Sequence, residues 1–274
     1  MLGYLAALAV LVLVACDHRA ALLARLATLA LVIVVTARLR PRARVARLLH
    51  DFLPVLSIVC VFSWTGPVIV ATTTHTWDAT MAGLDGALFG SLPARWFGLL
   101  GRPWWLTDAA YVAYVSYYVV PVAMAVALYA QGRLAEFDDF VFTVVAAFLV
   151  SYVCYFVFPT IGPRVPEDVE ASLLGGSGLS SAVRGFLRVA EGNLLDAFPS
   201  GHTALSLVFL ACGWRLFPRW RAPLVLDVAA IVFATVYLSL HYVIDLVGGV
   251  VLAALLSAVL PPLRRLATPR PRAG

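Results

Sequence analysis

Eight continuously apolar stretches run along the chain, at 2–16, 20–37, 52–71, 109–130, 139–158, 200–217, 224–240 and 243–262. A helix needs about 20 apolar residues to cross the hydrocarbon core of a bilayer. Seven stretches approach that length once their flanks are counted; the first is the shortest and the least suited to spanning. None shows the apolar–polar alternation over about 10 residues that marks a membrane β-strand. The pattern predicts an all-α integral membrane protein with a six-helix transmembrane core bundle and an N-terminal hydrophobic hairpin.

Polar segments divide the chain accordingly. Residues 1–51 form the hairpin with an Arg-rich loop, 52–262 the membrane domain, and 263–274 an Arg/Pro tail. Two interspan loops are long. Residues 72–108 carry Trp77, Asp78, Asp85, Trp96, Trp104 and Trp105. Tryptophan favours the membrane interface, so a short surface helix is expected there. Residues 159–199 carry Pro159, Gly162, Pro163, Arg164, Pro166 and a Gly/Ser-rich patch near 175–181. A loop of that length is more often functional than idle.

Composition agrees with this pattern. The chain is 62% hydrophobic and 13% charged, with mean hydropathy +0.92. A water-soluble domain carries about 25% charged residues. The net charge of +5 rests on arginine alone, because the sequence has no lysine. These arginines flank the apolar stretches, so they read as an orientation signal and give no reason to expect a nucleic-acid partner. Arg38, Arg40, Arg42, Arg44, Arg47, Arg133, Arg215, Arg219, Arg221, Arg264, Arg265, Arg270 and Arg272 fall on one side when the spans alternate. The positive-inside rule makes that side cytoplasmic, with both termini, and puts both long loops outside. The expected location is a multi-pass cell membrane protein with its site facing outward. Cys16, Cys60, Cys154 and Cys212 have no CxxC spacing and read as small buried apolar residues. Leu13-Val14-Ala15-Cys16 is similar to a lipoprotein cleavage box, but no basic segment precedes it.

Three polar clusters then meet at one depth on the outer side. Phe198-Pro199-Ser200-Gly201-His202-Thr203 opens the sixth stretch. The first amides of a helix lack intrahelical partners, and the dipole there favours an anion. Ser200 and Gly201 therefore read as a phosphate cradle beside His202, and Asp196 precedes it. His241-Tyr242-Val243-Ile244-Asp245 lies between the last two stretches. Residues four apart share a helix face, so Asp245 can hold one ring nitrogen of His241 and leave the other free to react. Pro159-Thr160-Ile161-Gly162-Pro163-Arg164 follows the fifth stretch. The guanidinium of Arg164 suits phosphate oxygens.

Pro199-Ser200-Gly201-His202 followed by the His241–Asp245 spacing resembles the type 2 phosphatidic acid phosphatase superfamily over about residues 52–262. That family uses the motifs KxxxxxxRP, PSGH and SRxxxxxHxxxD. The resemblance implies His241 as nucleophile, Asp245 as its orienting partner, and His202 as general acid and then base. It implies phosphate binding by Arg164, no metal and no cofactor, a lipid phosphate or phospholipid substrate, and an optional alcohol acceptor. Two cationic motif positions are occupied by Val157 and Thr235, and Arg184 or Arg188 could replace one. Val236-Tyr237-Leu238-Ser239-Leu240-His241-Tyr242-Val243-Ile244-Asp245 is similar to inositol phosphorylceramide and sphingomyelin synthases, which transfer a phospho-headgroup between lipids. A plain lipid phosphate or polyprenyl phosphate phosphatase is the alternative.

Other readings stand beside these. His18, His50 and His75 suit ordinary structural histidines, Asp78 and Asp85 suit capping or solvated loop positions, and Thr235 and Tyr237 suit packing or hydrogen bonding. A transporter with a His/Asp proton relay is the rival from another class, although the polar groups cluster at one face. An intramembrane protease would place its serine inside a span, whereas Ser200 precedes one. A zinc site at His202, His241 and Asp245 is possible by ligand type.

Overall fold

The computed structural model describes residues 1–16, 19–39, 43–90, 101–164, 174–190 and 194–267. His18, Arg40, Arg42, Trp96, Pro166, Arg270 and Arg272 lie outside the described residues. The chain folds as α1 Leu2–Ala15, α2 Arg19–Arg38, α3 Arg44–Thr72, α4 Asp78–Phe89, α5 Trp104–Ala130, α6 Leu134–Val157, α7 Gly178–Ala190, α8 Gly201–Leu216, α9 Arg221–Tyr237 and α10 Val243–Ala267. No strand occurs among the described residues.

Six segments are long and apolar enough to cross a membrane: α2, α3, α5, α6, α10, and Pro218–Tyr237, which is α9 with the 3-10 turn before it. These are not the six core spans expected from the pattern: α2 joins the set, and α8 has only 16 residues. At 1.5 Å per residue, α8 reaches about 24 Å, short of the full hydrocarbon thickness. α1, with 14 residues, is also too short by length.

α8 sits at the centre of the bundle, in contact with α5, α6, α9 and α10. Its small and apolar residues Ala204, Leu205, Val208 and Phe209 are buried against Leu128, Phe137, Ala147, Ile231 and Leu256. Lipid-facing surfaces are apolar in turn: Leu226, Val250, Leu255 and Val259 are all exposed. A soluble bundle hides such residues, whereas a membrane solvates them. α1 and α2 pack on α3 as an appended layer through Leu5, Leu8, Leu26 and Leu29.

Polar contacts separate the two ends of the bundle. At one end Arg133 donates to the carbonyl of Leu216 at 3.1 Å, Arg264 to Asp139 at 2.8 Å, and Tyr129 to Asp51 at 2.8 Å. At the other end lie His202, His241 and Arg164, with the surface helices α4 and α7. α4 is the interfacial helix expected within 72–108. α7 was not foreseen within 159–199. Its buried positions are Ser180, Arg184 and Leu187, spaced as one face of a helix.

The positive-inside rule gives the expectation that the arginine-rich end is cytoplasmic. Leu179→Cys on α7, at an exposed position, should therefore label with an impermeant maleimide in intact cells. Labelling only after permeabilisation would invert the orientation.

Candidate active site

The third motif is organised by a tight turn after α9. The carbonyl of Thr235 accepts from the amides of both Leu240 (3.0 Å) and His241 (3.2 Å). Ser239 takes a positive φ of 59° to make this turn. The turn places the His241 ring, 4% exposed, above the first turn of α10. Asp245 in that turn is fully buried. One of its carboxylate oxygens accepts from the Tyr242 amide at 2.9 Å, and the same oxygen lies 3.4 Å from Nδ1 of His241. The carboxylate thus caps the helix and faces the imidazole, which leaves Nε2 as the ring nitrogen directed away from it.

The second motif is joined to this helix through backbone. The Ser200 amide donates to the carbonyl of Asp245 at 2.9 Å. Ser200 also caps α8, its hydroxyl oxygen accepting from the Thr203 amide at 3.3 Å. Gly201 and His202 are the two residues between this cap and Thr203 in the first turn of α8. Gly201 answers a steric need as well: a Cβ there would sit 2.3 Å from the Tyr155 hydroxyl. Gly248 and Gly249 serve the same purpose from α10, because Cβ atoms there would meet Phe198 at 2.7 Å and the Ser200 carbonyl at 2.8 Å.

His202 projects from α8 between aromatic rings of α5. It stacks on Tyr114 with ring centres 4.1 Å apart and an interplanar angle of 25°, and Tyr117 lies 4.1 Å away on a tilted plane. Its ring centre is 6.1 Å from that of His241. Tyr114 and Tyr117 carried no functional expectation. Their signal was present in the sequence: Tyr111, Tyr114, Tyr117 and Tyr118 recur at three- and four-residue spacing, which puts aromatics on one helix face.

Arg164 is brought in by the loop after α6. Thr160 and Asp196 form a parallel bridge, and the Ala197 amide donates to the Thr160 carbonyl at 2.9 Å. Gly162 permits this loop to lie against the third-motif turn. It has φ 86°, and a Cβ there would be 2.6 Å from the Leu240 carbonyl. Asp78 at the start of α4 accepts from the amides of Ile161 and Gly162 at 3.1 and 2.9 Å. Asp85 similarly accepts from the Ile244 amide at 2.9 Å. Both acids are scaffold residues, in keeping with the capping expectation. Burial pushes the Asp85 carboxyl above its usual range, opposed by the Ile244 and Val243 amides.

Nη2 of Arg164 bonds Asp196 at 2.9 Å, with both side chains largely buried. Burial raises the Asp196 carboxyl, while Arg164 and then His241 pull it down. Arg164 and His241 both lie within electrostatic reach of His202. The structure thus gathers His202, His241, Asp245, Arg164, Ser200 and Gly201 at one end of the bundle, with Asp196 as a further member.

The substituted motif positions are plainly non-ionic. Val157 is exposed on α6, and the Thr235 hydroxyl donates to the Val232 carbonyl at 2.8 Å. Arg184 lies over the ring of Tyr111. His50 pairs with Asp51 at 2.7 Å beside a cavity of about 480 Å³ at the opposite end, and His75 packs near Trp77. Neither joins the site. Among the described residues, no group of three or more His, Cys, Asp or Glu side chains converges in a form suited to a metal ion.

The PAP2 superfamily model matches residues 79–259, about two thirds of the chain. The chain belongs to the PAP2 superfamily. The matched region contains α4 to α9 and most of α10, so it spans every element that contributes to the site. A PA-phosphatase related-family protein from Dictyostelium discoideum is 24% identical over 234 residues, which cover 71% of this chain and 42% of that protein. The chain thus spans less than half the length of that curated relative. No solved structure matches it. Family membership supports a phosphatase-type membrane enzyme.

Proposed function

We propose that this PAP2 protein is a lipid phosphatase or phosphotransferase that works through a phosphohistidine at the outer membrane face. The observation that carries this reading is the buried Asp245–His241 pair, with Nδ1 at 3.4 Å, facing the His202 ring at 6.1 Å. Asp245 selects the tautomer protonated on Nδ1, and Nε2 attacks phosphorus in line. The P–N bond forms as the bond to the leaving oxygen breaks, and His202 gives its proton to that oxygen. In the second step His202 takes a proton from water or an alcohol as its oxygen attacks phosphorus. The P–N bond breaks and His241 is restored. The Gly201 and His202 amides and Arg164 stabilise charge on the equatorial oxygens. Water gives a phosphatase; an alcohol gives a transferase. Neither step requires a metal.

The uncharged Val157 and Thr235 favour the branch resembling inositol phosphorylceramide and sphingomyelin synthases. A phosphodiester carries less charge than a phosphate monoester dianion, so it asks for fewer cations. Purified protein incubated with a panel of phosphate-bearing lipids, with and without alcohol acceptors, tests both points. Headgroup transfer to an alcohol, undiminished by excess EDTA, is expected. Hydrolysis of phosphatidic acid with no transfer would favour the plain phosphatase. Loss of activity in EDTA, restored by zinc or magnesium, would favour a metal-assisted reaction.

A further inference from the structure

Backbone pairing brings an acid from outside the three motifs onto the first-motif arginine. Thr160 and Asp196 bridge the two loops, and the Ala197 amide donates to the Thr160 carbonyl at 2.9 Å. Leu195 and Ala197, on either side of Asp196, are both buried. The Asp196 side chain is thereby held against the Arg164 side chain, at 13% and 19% exposure. One carboxylate oxygen accepts from Nη2 of Arg164 at 2.9 Å. A guanidinium keeps its charge at any physiological pH, so this contact sets the charge that Arg164 offers to a phosphate group.

The reacting end of the bundle is therefore not strongly cationic. The motifs supply Arg164 and Asp245, and Asp196 adds a second carboxylate. One guanidinium against two carboxylates leaves a formal negative charge when both imidazoles are neutral. Asp196 lies within electrostatic reach of His241 as well as Arg164. Asp78 and Asp85, which tie α4 to the site loops, are held by backbone amides.

This arrangement acts differently from the uncharged motif positions. Val157 and Thr235 only withhold attraction. A carboxylate beside the phosphate site adds repulsion, and repulsion separates ligands by their charge. A phosphate monoester carries a charge of about −1.5 to −2 at neutral pH. A phosphodiester carries a single negative charge. Arg164 alone would favour the monoester, and its pairing with Asp196 opposes that preference.

We infer that Asp196 is a specificity-determining residue, which offsets the charge of Arg164 and biases the site toward the phosphodiester group of a lipid. The inference rests on the phosphate-site reading given above and adds a residue that none of the motifs contains.

The test uses full-length protein in detergent and two short-chain lipids that share one diacylglycerol. One is a phosphate monoester and the other a phosphodiester, and release of diacylglycerol gives kcat/KM for each. Asp196→Asn removes one negative charge and nearly keeps the shape, so it should shift the ratio toward the monoester by about tenfold or more. Asp196→Glu keeps the charge and should hold the ratio near the wild-type value. An unchanged ratio in folded Asp196→Asn, or equal losses on both lipids, would make Asp196 a structural residue and overturn the inference. So would wild-type protein that releases diacylglycerol only from the monoester. Breaking a buried ion pair is destabilising, so a second measurement leaves Asp196 in place. Tungstate and perrhenate are tetrahedral oxyanions, the first doubly and the second singly charged. Perrhenate should bind wild-type protein at least as tightly as tungstate, with both lost in Arg164→Gln. Tighter Arg164-dependent binding of tungstate would overturn the inference. Turnover of neither lipid by wild-type protein would refute the functional reading, while the two oxyanions still decide the charge preference. Absence of both turnover and Arg164-dependent oxyanion binding would refute the two together.

Discussion

Replacing His241 with alanine should abolish turnover and prevent any acid-labile phosphoenzyme from accumulating. The expectation follows from where the two histidines sit. His241 is four residues from a fully buried carboxylate and faces it at 3.4 Å. His202 is held between Tyr114 and Tyr117, at the opening of α8. The first environment suits a nucleophile that becomes cationic on attack, because Asp245 stabilises that charge. The second suits a proton donor, because ring stacking fixes the imidazole plane toward the leaving oxygen. His202→Ala should slow both steps by about 10²–10⁴-fold, the usual scale for a general acid–base group. A substrate with a good leaving group should recover much of the first step in that variant. Phosphoenzyme would then build up on His241, where chemical quench and peptide mapping can find it. Label on His202, or near-normal turnover by His241→Ala, would refute the assignment.

The parts of this site legible in the sequence are those governed by local spacing. His241 and Asp245 are one helical turn apart, and Ser200 is a favoured helix cap. The meeting of the motifs at one depth followed from span counting and arginine placement, with no tertiary information. What escaped prediction depends on contacts between distant segments. The Tyr155 hydroxyl against Gly201, the Leu240 carbonyl against Gly162, and the tyrosines beside His202 each join segments far apart in sequence. Ser200 illustrates the limit. Its backbone amide, readable as a ligand donor, bonds the Asp245 carbonyl across the bundle. Helix α7 was missed for a different reason. Its stripe is only three buried residues long and includes Ser180 and Arg184, so an apolar periodicity search passes over it. The six-span count was met by a different set because α8 has only 16 residues.

Asp245→Asn should leave the fold intact and lower turnover by on the order of 10²-fold or more, as the equivalent loss of the carboxylate does in Ser-His-Asp triads. Asparagine is the informative replacement because Asp245 has three separate duties. Its backbone carbonyl accepts from Ser200, which any residue preserves. One side-chain oxygen accepts from the Tyr242 amide, which the amide oxygen of asparagine can still do. The third duty, in the proposed mechanism, is to face Nδ1 of His241 and to balance the imidazolium that forms. Asparagine that keeps its oxygen on the Tyr242 amide also keeps that oxygen toward Nδ1, because one carboxylate oxygen makes both contacts. It carries no charge, so it does not balance the imidazolium that forms as Nε2 attacks. A loss of 10²-fold corresponds to about 2.7 kcal/mol of transition-state stabilisation. The defect should fall on kcat, with lipid KM little changed, because Asp245 is fully buried and Arg164 still holds the phosphate oxygens. Phosphoenzyme formation, followed by rapid quench, should slow by the same factor. Asp245→Ala removes the helix cap as well, so it should lose thermal stability in detergent while Asp245→Asn does not. If Asp245→Asn kept near wild-type kcat, the carboxylate would be a helix cap alone and His241 would need another partner. If it raised KM with kcat unchanged, Asp245 would act in lipid binding instead.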